Sequence, residues 1–544
     1  MGEAMDATSE RYDTIIVGGG MAGLTAAAFI SEAGHSVLLC EKEAVLGGLV
    51  NSFERDGFTW DAGIRAFEDS GIIFPMLESL GIDLAFVKSA VSIGIEDRVI
   101  SVESPSDLPS YEELLAHFYP ESRDDIKTII ADIQLVMKHM DVLYGVENPI
   151  FKDLLRDREY LMNVLLPWLG RFLLTIGKIN RMNEPVEEHL RAFTSNQSLI
   201  DIIGQHFFRN TPAFFAMSYF SLYIDYCYPI GGTGALPRAM ETFCREHGVE
   251  IACNTRVDAV NPDERTATTA DGRCLRYRDL VWAADAKTLY RCAGSSGSGA
   301  RRRAARAAES RGGDSVFTLY LAVDRDPSWF AEKSNGHLFF TPSRRGIGAP
   351  SRRELLALMS EAASMDTETF MAAARSWLEH YINYNTFEIS IPVLKDPTLA
   401  PPGKTGLIVS VLFDFDLCEA IRERGRYDEL KGFVEDRMID VIDGSIYPGI
   451  RGMIADRFSY TPSSIARIVG SSEGAITGWA FTNPVMPAVN RMQRVATSIR
   501  TGLPHVYQAG QWAYSPSGLP IAILTGKLAA DRVNKDLRRE HVAR

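Results

Sequence analysis

Residues 12–41 read Tyr12-Asp-Thr-Ile-Ile-Val17, Gly18-Gly-Gly20-Met-Ala-Gly23, an alanine-rich stretch to Ala33, Gly34, and Ser36-Val-Leu-Leu-Cys40-Glu41. The order predicts a strand, a glycine turn, a helix and a second strand, which is a complete βαβ unit. Gly18-x-Gly20-x-x-Gly23 follows one strand directly and opens the helix. Glu41 comes 18 residues after Gly23, where it can accept from a ribose hydroxyl. Gly18 permits the tight turn, Gly20 lets backbone approach a pyrophosphate, and Gly23 lets helix and strand lie close. Met21 and Ala22 begin the helix, whose unpaired N–H groups face the phosphates. This stretch predicts a dinucleotide site.

Downstream, Glu41-Lys42 leads to Gly47-Gly48-Leu49 and then Phe58-Thr-Trp60-Asp61-Ala-Gly63-Ile64-Arg65. A glycine pair so soon after the ribose acid suits a loop pressed against a long ligand. The order resembles the FAD-binding segment of the flavin amine oxidase and phytoene desaturase superfamily. That resemblance implies FAD as cofactor, with Glu41 and Lys42 at the ribose. It lays Gly47, Gly48 and Leu49 along the flavin-side chain, and places Gly63, Ile64 and Arg65 near the ring. Amine oxidases usually carry arginine after the glycine pair, and Leu49 departs from that branch.

The far end carries His505-Val-Tyr-Gln-Ala-Gly510-Gln511-Trp512-Ala-Tyr514-Ser-Pro-Ser-Gly518-Leu519-Pro520, then a small-residue helix over Ala522–Val533. A proline near the helix start suits the first turn. The segment resembles the C-terminal FAD signature of phytoene desaturases, carotenoid isomerases and retinol saturases. It implies that Gly510, Gln511, Gly518, Leu519 and Pro520 approach the flavin, with the helix dipole favouring negative charge on the ring. Gln511 stands where the family often has an acid.

Between these ends, Tyr228-Pro-Ile-Gly231-Gly232 precedes a helix over Arg238–His247, strands near 249–252 and 256–260, and the apolar run Asp279–Asp285. The resemblance implies that Tyr228 faces the flavin, Val257 contacts the adenine side and Ala284 lies in a cofactor-side turn. Residues 294–313 are low-complexity and basic, predicting a solvated loop and surface helix. From Ser315 strand patterns appear (316–323, 337–340, 387–391, 407–413), with amphipathic helices over 353–381 and 427–442. Residues 106–225 are helical and rich in large apolar side chains, suited to an apolar tunnel or a bilayer interface.

The fold expected is α/β: a Rossmann-type FAD-binding domain with a mixed-sheet substrate domain and a helical apolar insert. The discontinuous FAD domain takes 1–105, 226–312 and 480–544. The helical region takes 106–225 and the substrate domain 313–479. With 544 residues, a single core is excluded. A net charge of −13 argues against a nucleic-acid partner. Seven dispersed cysteines without C-x-x-C suggest a reducing compartment and no metal site. The opening residues lack a secretory pattern, and no run of 18 uninterrupted apolar residues occurs. A cytoplasmic location, peripheral on a membrane, is expected.

The chemistry implied is FAD-dependent insertion, removal or isomerisation of C=C bonds in a long apolar isoprenoid or polyene. It asks little of side chains beyond orientation and a dry cavity. No second dinucleotide motif is present for a nicotinamide, so a quinone or oxygen is the expected electron acceptor. Arg65, Tyr228, Trp512 and Tyr514 are the candidates for lining the reactive cavity, with His337 as a further one. The alternatives are a flavin amine oxidase of the same superfamily and a prenyl-binding escort resembling the Rab GDP-dissociation inhibitors.

Overall fold

The computed structural model describes residues 10–152, 157–294 and 297–542. Its first sheet has seven strands. In spatial order they are Val257–Asn261, Thr266–Thr269, Cys274–Trp282, Arg11–Val17, Val37–Cys40 and Glu250–Ala252, while Val506–Gln508 pairs with Cys274–Trp282 beside the second of these. The central strands are parallel and buried on both faces: Ile15, Ile16, Leu38, Leu39, Leu280 and Val281 are all at 1% exposure or less. That is why they read as continuous apolar runs.

The helix Met21–Glu32 is buried along nearly its whole length. On one side it packs against Ala235–Glu246, and on the other against the C-terminal helix Leu519–Val542. The last contact is very close, because a Cβ on Gly526 would stand 2.5 Å from the Ala22 carbonyl oxygen. The C-terminal helix extends well beyond the predicted 522–533: it starts at Leu519 and continues through a charged, solvent-facing tail.

The second sheet also has seven strands, in the order Ile454–Tyr460, Ser315–Val323, Thr405–Phe413, Phe387–Ser390, His337–Thr341, Val91–Ile95 and Arg98–Val102. It is mixed, since 337–341 runs parallel to 91–95 while its other pairings are antiparallel. Two of its strands therefore come from residues that the sequence reading grouped with the first domain. Period-two alternation divides the sheet's faces. Phe317, Leu319, Leu321, Leu338, Phe340, Ile389, Leu407 and Val409 join one core with the helices Thr367–Tyr384 and Tyr427–Asp443. The intervening residues Thr318, Tyr320, His337, Glu388, Ser390 and Ser410 take the opposite face. That polar face looks toward the first domain.

The helix predicted over 353–381 is two helices, Ala349–Glu361 and Thr367–Tyr384. Asp366 interrupts them by accepting from the Thr369 N–H at 3.0 Å, so the chain restarts there with a new cap. The described residues of 108–225 form helices around a core that includes Leu114, Ile126, Ile130, Ile133, Ile203 and Phe220. One of these helices, Arg158–Ile179, is long and apolar enough to cross a membrane by length and composition. It carries a π-helical turn at Leu161–Leu165. Only 17% of its apolar window is buried, and Leu174 is 77% exposed.

Candidate active site

The glycine turn forms an open cradle. Gly18 sits at φ +106°, and a Cβ on it would stand 2.8 Å from the Ala283 carbonyl oxygen, with Ala284 beside it. A Cβ on Gly23 would lie 1.9 Å from the Gly18 oxygen. At Gly20, by contrast, a Cβ would meet nothing within 4 Å. Gly20 caps Met21–Glu32 without any side-chain hydrogen bond, so the N–H groups around Met21 and Ala22 face open space. Gly47 closes one wall, donating to the Gly19 carbonyl at 2.9 Å, and Gly48 lies across from Gly20. Open space, free N–H groups and a helix N-terminus suit a phosphorylated anion.

Glu41 ends the second strand and accepts from the Gly19 N–H at 2.7 Å and the Glu43 N–H at 2.9 Å. These bonds fix the carboxylate at the rim of the cradle and leave lone pairs for a ligand hydroxyl. Lys42 points elsewhere. Its ammonium donates to the carbonyls of Arg467 and Ile468 at 3.0 and 2.7 Å and pairs with Glu43, so its side chain is committed to the end of another helix. Val257 is buried in its strand beside this region.

From the far end, Gly510 adopts φ +95° and donates to Thr525 Oγ1 at 2.9 Å; a Cβ there would touch Ala22 at 3.4 Å. The Gln511 carbonyl packs closely on Gly478, where a Cβ would approach it to 2.2 Å. Gly518 precedes Leu519 and Pro520, which open the C-terminal helix. Two helix N-termini thus flank one hollow.

Beyond the cradle, the Asp61-Ala-Gly63 turn is stitched to its surroundings. A Cβ on Gly63 would stand 2.2 Å from the Leu49 oxygen, and the Ile64 N–H donates to that oxygen at 3.1 Å. Asp61 accepts from the Tyr228 hydroxyl at 2.7 Å and from the Thr233 N–H and hydroxyl at 2.9 and 2.8 Å. Tyr228 is fully buried, with the Lys395 ammonium 4.5 Å from its ring centre. Its hydroxyl is engaged with Asp61 and it supports the turn.

Arg65 reaches from this turn onto the polar face of the second sheet. It donates to Ser410 Oγ at 2.7 Å and to Glu388 Oε2 at 3.2 Å, while its Nε is buried without a partner. Lys395 donates to the Arg65 carbonyl at 2.8 Å and Ser390 Oγ at 2.9 Å. Burial alone would push the Glu388 carboxyl up, but Arg65, His337 and Lys395 outweigh it and hold it at about 2. Burial pulls the Lys395 ammonium down to about 8. His337 Nε2 lies 3.2 Å from Glu388 Oε1 without the alignment of a hydrogen bond, and burial lowers its basicity.

Sequence reading placed Arg65 and His337 near the site but missed Glu388 and Lys395. The one available signal was a lone acid inside the apolar strand Phe387–Ile391.

Trp512 is 4% exposed and packs edge-on against Trp479, within a cluster that includes Ala286, Ala307 and Ala475. It is separate from the Arg65 group. Tyr514 is buried near Tyr144. Alongside, Ile93, Ile133, Ile203, Phe207, Tyr219 and Phe339 line a narrow apolar cavity of about 50 Å³ between the helices and the second sheet.

The model of the family described as "Flavin containing amine oxidoreductase" matches residues 21–352, more than half of the chain. The chain belongs to this family. It is therefore a flavin oxidoreductase, and the open cradle between two helix N-termini fits a flavin nucleotide. The chain is 24% identical over 541 residues to a phytoene desaturase (lycopene-forming) of Pseudescherichia vulneris, covering 96% of this chain and 99% of that protein. It is 22% identical over 571 residues to a chloroplastic prolycopene isomerase of Daucus carota, covering 97% and 81%. A solved putrescine oxidase shares the fold, with a TM-score of 0.61 at 12% identity over 97% of this chain and 99% of that one.

Proposed function

We propose that this protein binds FAD and inserts, removes or shifts C=C bonds in a long apolar isoprenoid or polyene. The observation that carries this reading is the end-to-end likeness to a carotenoid desaturase and a carotenoid isomerase, both of which span nearly the whole chain. The small apolar cavity between the helices and the second sheet supports it. Gly18, Gly20, Gly23, Glu41, Gly47 and Gly48 would hold the nucleotide half, and Gly63, Ile64, Gly510 and Gly518 would border the ring. Bound flavin supplies two-electron acceptance or donation at the ring. The chain's own part is to exclude water, with aliphatic and aromatic side chains, and to fix the D-x-G turn through Asp61, Tyr228 and Arg65.

Electrons leave to a quinone or oxygen in this reading. The protein sits in the cytoplasm on a membrane surface, met by the exposed apolar side of Arg158–Ile179.

The test is purification of the yellow protein, identification of the released flavin by mass spectrometry, and analysis of co-extracted lipids. FAD and a polyene support the reading. Hydrogen peroxide release with polyamines would redirect it to amine oxidation. A colourless protein that refuses added flavin would overturn it and revive the prenyl-escort alternative.

A further inference from the structure

One carboxyl near the cradle has no place in the network around Arg65. Glu68 follows the turn residues by three positions. Its backbone neighbour Phe67 is locked to Cys227 by reciprocal N–H···O bonds of 2.8 Å, so Glu68 is presented from a fixed site. A Cβ on Gly518 would stand 3.5 Å from Glu68 Oε1, which sets the carboxyl beside the opening of the C-terminal helix. Among the described residues its only hydrogen-bonding contact is with its own backbone N–H. The half-buried rings of Tyr144, Tyr219 and Tyr226 stand close enough to feel its charge, and among the described residues their hydroxyls also lack hydrogen-bond partners. Tyr219 and Tyr226 feel Glu388 as well. They therefore bridge the region from Glu68 to the Arg65 group, and Tyr219 belongs to the wall of the apolar cavity. A carboxyl without a partner at this junction has no structural duty.

We propose that Glu68 is the proton-transfer residue of the reaction, exchanging a proton with a substrate carbon at the flavin end of the apolar cavity. This rests on the reading that a flavin occupies the cradle and a polyene the cavity. In the desaturating direction two C–H bonds on adjacent carbons break. A bound oxidised flavin would accept one hydrogen together with its electron pair. The other leaves as a proton to the Glu68 carboxylate, and its electron pair becomes the new C=C π bond. Saturation is the reverse, and isomerisation uses the same proton without net electron loss. The groups facing Glu68 are Asp225, Tyr144, Tyr219, Tyr226 and Cys227. Burial first, and then the charge of Asp225, raise its carboxyl to about 7, near the value at which an acid–base group works best at neutral pH.

The experiment uses the flavin-loaded protein as wild type, Glu68→Gln and Glu68→Asp, checked for equal flavin content. Oxidised flavin absorbance is titrated from pH 5.5 to 8.5. Anaerobic bleaching by phytoene in liposomes is then followed across the same range. The wild type should show a one-proton spectral transition near pH 7 that vanishes in Glu68→Gln and persists with a moved midpoint in Glu68→Asp. The bleaching rate should rise with pH through that transition. In Glu68→Gln it should fall by roughly 100-fold or more and lose its pH dependence, with partial recovery in Glu68→Asp. A wild type lacking the transition, or Glu68→Gln bleaching at the wild-type rate, overturns the assignment. Loss of colour in the wild type would instead overturn the flavin reading itself.

Discussion

Arg65 Nη1 lies 3.2 Å from Glu388 Oε2, joining residues 323 positions apart across the boundary between the D-x-G turn and the second sheet. Removing one member of such a pair strands the other in a poorly hydrated site. Arg65→Met should destabilise the fold by about 3 kcal/mol, measured by urea unfolding. The double change Arg65→Met, Glu388→Met should recover much of that loss. Equal destabilisation in both variants would show that the pair is not what the turn depends on.

The same network sets a pH dependence. Glu388 is held below its unfolded value, so it adds stability that is complete above about pH 5 and is lost as pH falls toward 2. Lys395 is lowered to about 8, so between pH 8 and its unfolded value near 10.5 the unfolded chain binds more protons. Its contribution to stability therefore rises with pH across that window. Urea midpoints of wild type minus Lys395→Met should climb from pH 8 to 10, and a flat difference would contradict the assignment.

Gly20 and Gly23 should fail differently. A methyl at Gly20 meets no protein atom, so Gly20→Ala should keep the melting temperature of the apoprotein. It should weaken flavin binding roughly tenfold or more, about 1.4 kcal/mol. A methyl at Gly23 collides with the Gly18 oxygen at 1.9 Å, and Gly23→Ala should cost stability itself, about 1–3 kcal/mol. Flavin fluorescence titration and thermal melts separate the two effects.

The exposed side of Arg158–Ile179 can be tested without touching the cradle. Leu173→Asp with Leu174→Asp, at positions 60% and 77% exposed, should abolish co-sedimentation with liposomes. Stability should move by no more than about 0.5 kcal/mol per site, and flavin content should not change. Unaltered sedimentation would remove this helix as the membrane contact.

The glycine geometry was legible because its cause is local. Positive φ at Gly18, Gly47, Gly48 and Gly510, and the near-contacts at Gly23 and Gly63, are demands that leave glycine at fixed spacings. The apolar strands were legible for the same reason. Side-chain destinations were not. Lys42 adjoins the ribose acid in sequence, yet its ammonium is captured by carbonyls more than 400 residues later. Trp512 lies between Gly510 and Gly518 in sequence, yet its ring is taken up by Trp479. Glu388 became visible only when its strand was registered beside Ser410, which turned an isolated acid into Arg65's partner. Val91–Val102 joined the second sheet through a parallel pairing with residues some 245 positions away, which no local pattern announces.

The seam between Ala22 and Gly526 has a bearing on biosynthesis. The helix that carries Ala22 meets its counterpart only after about 500 further residues have left the ribosome, so until then a nascent chain has half a nest. Pigment uptake then waits on that helix, and a protein lacking residues 519–542 would emerge pale.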